Sequence, residues 1–142
     1  MNAKTFVAAF IAAIFLASTA NLGFALEEIE IVTPARAKEL GLEIRAHAAG
    51  PDVVRVELEF EVKGELQNYS RVALEIHDAE KLISTSTLRE EPAKPGRIIV
   101  GFAADRATLN KFTLKVVTQD SPRSRAGHVL RIHEFVDLTK LR

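Results

Sequence analysis

Hydrophobic and charged residues alternate strictly along one stretch of the chain, from Val54 to Val62. Every second residue there is Val, Leu or Phe, and every residue between them is charged. Successive side chains of a strand point to opposite faces, so this stretch predicts a strand with one buried and one solvated face. Shorter runs of the same alternation predict further strands at Leu42–Ala46, Val72–Ile76, Ile98–Phe102 and Phe112–Val116.

Three other segments predict strands or connections of a less regular kind. Leu82–Leu88 is rich in Ser, Thr and Ile but alternates poorly, which favours an edge strand, and Ile29 with Ile31 predicts a short edge piece. Val129–Leu138 changes phase at Phe135, which predicts a strand with a bulge near His133 or Glu134. The segment Asp105–Asn110 is expected to cross between sheets, with Leu109 plugging the core.

One short helix is predicted between Thr33 and Gly41. A Thr at the N-cap can accept a hydrogen bond from a free backbone N–H, and Pro34 suits the first helical position because it lacks that donor. Gly suits the left-handed residue that follows a last helical turn. Two turns are marginal in isolation, so Ala37 and Leu40 are expected to pack inward.

The spacing of strands and turns predicts the fold class. Seven to eight short strands in about 115 residues are typical of an all-β, immunoglobulin-like, antiparallel two-sheet β-sandwich, here with one short N-terminal helix. A small open barrel is the alternative. Residues 26–142 are therefore expected to form a single β-sandwich domain.

Residues 1–25 have the organisation of a secretory signal peptide. Lys4 is their one charged residue, and an uninterrupted apolar run of twelve residues follows from Phe6 to Ala17. Cleavage is expected after Ala25, with Ala20 as the second possibility. An uncleaved membrane anchor is the alternative, but Ser, Thr, Asn and Gly interrupt the second half of the segment. The chain is thus expected to be exported, to the periplasm or the cell exterior.

Composition excludes several classes of function. The chain has no Cys, and its one Met is Met1, so a lipid-modified Cys, a disulfide framework and a soft copper site are all ruled out. Removing residues 1–25 leaves 18 basic and 19 acidic side chains, so the remaining chain lacks the net positive charge that is typical of nucleic-acid binding proteins. The few remaining aromatic residues fall mostly at predicted core positions, which argues against carbohydrate stacking.

Candidate chemistry is sparse. The four histidines are His47, His77, His128 and His133. His128 and His133 are five positions apart on one predicted strand, and an odd spacing makes two strand residues face opposite ways. Hydrolase, zinc-protease and phosphate-loop motifs are absent, so no catalytic, cofactor-binding or metal-binding residue is predicted. The acidic row Glu57, Glu59 and Glu61 is expected to be balanced by cross-strand basic residues such as Arg71, Lys111 or Lys115.

One basic segment remains as a candidate binding site. Residues 120–128 are interpreted as a long loop, and binding functions often lie on such loops. Arginine can hold a carboxylate or phosphate with two hydrogen bonds. The candidate residues for an anion or a partner are Arg123, Arg125, His128 and Arg131.

Two functions follow as hypotheses. The first is an exported, non-catalytic β-sandwich domain with a protein partner, acting in protein interaction or as an envelope accessory. The alternative is a small-ligand or metal-ion binding protein, or a weakly hydrolytic one, that uses the histidines or the Arg123 and Arg125 loop.

Overall fold

The computed structural model describes residues 26–141, which form two β-sheets around a common core. Residues 1–25, where the signal peptide is predicted, lie outside the described residues. The elements in chain order are β1 (Leu26–Ile31), α1 (Pro34–Leu40), β2 (Glu43–Ala48), β3 (Val53–Glu61), β4 (Tyr69–Asp78), β5 (Lys81–Thr87), β6 (Arg97–Asp105), β7 (Phe112–Ser121), β8 (Ser124–Arg131) and α2 (Ile132–Phe135). Two 3-10 helices, Gly64–Leu66 and Arg106–Lys111, precede β4 and β7.

The strand order confirms the predicted sandwich. One sheet has five strands in the order β1-β8-β7-β4-β5, and the other has three in the order β2-β3-β6. The chain passes between the sheets after β1, β3, β5 and β6, which is an immunoglobulin-like connectivity. Every ladder is antiparallel except the one between β1 and β8, which is parallel. The barrel alternative is wrong, because within residues 26–141 no strand of one sheet is hydrogen-bonded to a strand of the other sheet.

The predicted helix and its caps are confirmed. The Arg36 backbone N–H donates to Thr33 Oγ1 at 3.2 Å, and Pro34 opens the helix. Gly41 ends it in the left-handed conformation, with φ 74°. Ala37 is buried and Leu40 packs against the core, so tertiary contacts support a helix that is too short to be stable alone.

The core lies between the sheets, and β3 supplies one of its walls. Val54, Val56, Leu58 and Phe60 are at most 2% exposed, whereas the charged residues between them face outward, as the alternation predicts. Leu109 is fully buried at the turn before β7 and plugs one end of the core, which confirms its predicted role.

Two predictions near the C-terminus are wrong. Residues 120–128 are not a long loop, because β7 continues to Ser121 and β8 begins at Ser124, leaving a tight hairpin. Val129–Leu138 is not a bulged strand, because β8 ends at Arg131 and the helix α2 begins at Ile132. The change of phase at Phe135 therefore marks a change from strand to helix.

Candidate interaction surface

The four predicted binding residues do not form one site. Arg123 lies in the β7–β8 turn, while Arg125 and Arg131 stand on the outward face of the five-stranded sheet. Arg125 and Arg131 are six positions apart along the strand, a distance of about 20 Å. His128 belongs to the opposite, inward face of β8 and is only 6% exposed. The structure therefore does not bring all four of these side chains together around a common ligand.

His128 is instead part of a structural network. Its Nδ1 lies 3.0 Å from Glu30 Oε2 on β1, and the other Glu30 oxygen accepts from Arg36 Nε at 2.7 Å. Arg36 also donates to Glu65. The hydrogen bond from Arg36 holds the pKa of Glu30 below its usual range, against the opposing effect of burial, and His128 adds to the lowering. This network fastens β1 to β8, α1 and the first 3-10 helix.

The other three histidines lie on three different elements, although His77 and His133 both line one cavity on the five-stranded sheet. His77 Nε2 lies 3.3 Å from Glu75 Oε2 and 3.3 Å from Thr113 Oγ1 on the five-stranded sheet. His47 lies on β2 and His133 in α2, each on a different element. Among residues 26–141, no three His, Cys, Asp or Glu side chains converge in a way that could hold a metal ion.

The acidic row on β3 is balanced by basic side chains, but not by the ones predicted. Arg55 donates to Glu57 at 3.0 Å, Lys63 lies 2.6 Å from Glu61, and Glu59 meets two arginines, Arg45 on β2 and Arg97 on β6. Arg71, Lys111 and Lys115 cannot reach the row, because they belong to the five-stranded sheet or the turn that leads into it.

A second ionic arrangement crosses the outward face of the five-stranded sheet. Lys115 Nζ on β7 lies 3.0 Å from Glu75 on β4 and 3.1 Å from Glu27 on β1. Burial alone would lower the pKa of Lys115, but the hydrogen bonds to both carboxylates outweigh it and raise that pKa. Glu75 is only 8% exposed, so Lys115 neutralises a buried charge.

Three of the four sheet edges in the described chain are protected against pairing with another strand. The β1 edge carries Glu27, Glu28 and Glu30, and the β2 edge carries alternating charged or ionisable side chains that begin with Glu43. The β6 edge is covered by the segment at Glu90 and Glu91, whose backbone bonds to β6. Charge and coverage are the usual means by which proteins prevent edge-to-edge association.

The fourth edge, β5, is the least protected of the four, because no described segment covers it and its one charge is Lys81 at the first residue. All seven residues from Lys81 to Thr87 are exposed, and the six from Leu82 to Thr87 include no charge, Pro or Gly. A register shift in the β4–β5 ladder lies at the Lys81 end and leaves Ser84–Thr87 regularly paired to β4. The free side of β5 therefore presents unpaired backbone N–H and C=O groups that can accept another strand.

Exposed apolar side chains are concentrated on the five-stranded sheet, to which β5 belongs. The large hydrophobic residues that the structure describes as exposed lie on its two edge strands, and they are Ile29, Ile31, Leu82 and Ile83. On β1 they alternate with glutamates, whereas on β5 they adjoin only Ser, Thr and one Lys. The β5 edge is thus the candidate interaction surface of this domain.

The residues of β5 predict an edge strand, which is confirmed, but they do not show that the other edges are better protected. That distinction depends on the pairing of β6 with Glu90 and on the acidic β1, neither of which is visible in the β5 residues themselves. One local feature of the sequence does indicate pairing. Residues 82–87 form an uncharged run with β-branched residues and without Pro or Gly, which is typical of strands that pair between chains.

Comparison with known proteins adds no relative, because no family model, curated protein or solved structure matches this chain. No helix among the described residues is long and apolar enough to cross a membrane.

Proposed function

We propose that this chain is an exported, non-catalytic β-sandwich that acts as a protein-interaction domain in the periplasm or outside the cell. In this proposal the domain takes up a strand of a protein partner along β5. The observation that carries the proposal is the β5 edge, the least protected of the four sheet edges in the described chain. Export rests on the composition of residues 1–25, with their basic start and apolar run.

Strand addition suits the chemistry of this edge. A partner strand would form backbone hydrogen bonds along one side of β5, each with a net contribution of about 0.5–1.5 kcal/mol before the entropy of association is counted. It would also cover Leu82 and Ile83, which are 48% and 57% exposed. The small-ligand alternative is less well supported, because His128 lies on the opposite face of β8 from Arg125 and Arg131, and no three His, Asp or Glu side chains among residues 26–141 converge to hold a metal ion.

Site-specific photo-crosslinking in the source cell tests the proposal. The full chain carries a photoreactive residue at Ile83 on β5, and a control chain carries it at Arg45 on the charged β2 edge. We expect protein adducts from position 83 and far fewer from position 45. A charge on the edge, Thr85→Lys, should abolish the adducts, whereas Ala35→Lys in α1, which adds the same charge elsewhere, should keep them.

Absence of any adduct at position 83, in a chain whose circular dichroism and thermal melting are unchanged, would overturn the proposal. Equal adducts at positions 83 and 45 would overturn it as well, because they would indicate contacts without preference for the uncharged edge.

A further inference from the structure

We infer that the strand seated on β5 is β5 of a second copy of this chain, paired antiparallel across a two-fold axis. This inference rests on the proposed function, since it names the occupant of the same edge. The two five-stranded sheets would then join into one continuous ten-stranded sheet in the order β1-β8-β7-β4-β5-β5-β4-β7-β8-β1. The contact is isologous, because each copy offers the same residues to the other.

The residue pairs formed by full overlap are compatible with each other. Two copies of the seven-residue strand overlap completely when Ser84 lies opposite itself. Counted along the strand, Ile83 then faces Thr85, Leu82 faces Ser86, and Lys81 faces Thr87. This register requires β5 to be regular on its free side across Ile83, where its ladder with β4 shifts. Side chains directly opposite one another interact most strongly in an antiparallel pair, and like charges at such positions repel. No like charges meet here, because the single lysine of each strand faces a hydroxyl group.

Closure of the sheet favours a second copy over an unrelated strand. Self-pairing covers both β5 edges at once and leaves the dimer bounded at each end by β1 with Glu27, Glu28 and Glu30. Those acidic edges resist further growth, so the assembly stops at two copies. A strand from another protein would cover β5 but would present its own free side to solvent.

Long-range charge does not oppose this association. Without residues 1–25, each copy carries 18 basic and 19 acidic side chains, so two copies repel each other only weakly. A seven-residue strand pair is small compared with standard protein interfaces of about 1,200–2,000 Å². We therefore expect a weak dimer whose population rises with concentration.

Sedimentation equilibrium of the full chain, purified after export, measures this dimer directly. The weight-average mass should rise from that of one copy toward that of two as concentration increases, and should not exceed two. Thr87→Lys places like charges opposite each other twice in the dimer and should weaken association about two- to thirtyfold. Thr87→Glu places opposite charges there and should strengthen it by a similar factor.

The absence of cysteine allows a second, geometric test. Ser84→Cys introduces the chain's only thiol, at the residue that the two-fold axis sets opposite its own copy. Directly opposed strand residues have Cβ atoms about 4.5–5.5 Å apart, close to the range that a disulfide spans. Mild oxidation should therefore link two copies of Ser84→Cys much faster than two copies of Ser70→Cys, an exposed control at the start of β4.

The outcomes separate this inference from the proposed function. A monomer at all concentrations up to about 1 mM, with no faster linking of Ser84→Cys than of the control, overturns self-pairing. If photo-crosslinking at Ile83 then gives adducts with a different protein, the proposed function stands and only the identity of the occupant is wrong. If it gives none, both are wrong. Equal effects of Thr87→Lys and Thr87→Glu would also overturn the register.

Discussion

The side chain of Lys115 crosses directly over Gly127 on the neighbouring strand to reach Glu27. A Cβ atom on Gly127 would lie 3.0 Å from Lys115 Cδ and 3.2 Å from Glu27 Oε1, which is closer than ordinary packing allows. The backbone of Gly127 is not in the left-handed region, so the conflict at this position is one of space alone, and a larger residue would force the Lys115 side chain to move by a few tenths of an ångström. Gly101 has the same role in the other sheet, where the Arg55 guanidinium lies over it.

Gly127→Ala should therefore destabilise the domain by about 1–3 kcal/mol, as overpacking commonly does. A Gly→Ala change at an unobstructed site of suitable conformation instead stabilises by about 0.4–1 kcal/mol, by restricting the unfolded chain. Gly50 is the matched control, because its added Cβ would meet Val53 at an ordinary 3.7 Å. Urea unfolding of both variants checks the prediction, and equal effects at the two glycines would contradict it.

Lys115→Met should destabilise the domain because it leaves the Glu75 carboxylate buried without its cation. We expect a loss of about 1–3 kcal/mol in the free energy of unfolding. Lys111→Met is the control, since Lys111 is half-exposed and lies 3.7 Å from the exposed Asp78, a pair worth about 0–1 kcal/mol. In the Lys115→Met background, Gly127→Ala should cost less than it does alone, because the side chain that it would strike has changed.

Stability should fall at acidic pH through Glu30. The folded pKa of this carboxyl lies below its ordinary value of 4.5, so it stabilises the domain above about pH 4.5 and loses that contribution as pH falls through the folded pKa. Glu30→Gln should lower stability at pH 7 and flatten the dependence below pH 4.5. Unfolding free energies measured from pH 7 to pH 3 test this, with the exposed neighbour Glu28→Gln as control. Parallel curves for Glu30→Gln and the wild type would contradict it.

Phe60→Ala should be among the most damaging core substitutions. Phe60 is 2% exposed, and its ring meets that of Tyr69 edge-on at 5.2 Å between centroids. We expect a loss of about 3–5 kcal/mol. Leu74→Ala on β4 should cost clearly less, because Leu74 is only partly buried beside the exposed β5. Thermal or urea unfolding checks the ranking, and a loss below about 1 kcal/mol for Phe60→Ala would contradict its core position.

Local physics explains which elements could be predicted from the sequence. The alternation along β3 and the caps at Thr33 and Gly41 act over a few residues, and both are confirmed. Pro122 and Gly127 are residue types that commonly mark turns, and for this reason the sequence predicts a loop where the β7–β8 hairpin lies. Gly127 is instead a strand residue of β8. Its missing side chain leaves room for the side chain of Lys115, which lies twelve positions earlier in the chain.

The candidate site could be predicted only in part, for a related reason. The lack of charge in Leu82–Thr87 can be seen in the sequence of that segment alone. The protection of the other edges depends on contacts between residues that are distant in the sequence. Glu90 covers Val100, and the network of Glu30 with His128 spans 98 positions. The four basic candidates lie close together in the sequence, but Arg123 is in the turn, and the alternation of β8 places His128 on the opposite face from Arg125 and Arg131.

The parallel pairing of β1 with β8 has a consequence for the order of folding. The first strand of the described chain finds its hydrogen-bonding partner only in the last one, so the acidic edge of the five-stranded sheet cannot form until almost the whole chain is available. Such high contact order slows folding, because distant segments must meet before their contacts contribute. During synthesis, the β1–β8 ladder can therefore form only after residues 124–131 have been added to the chain.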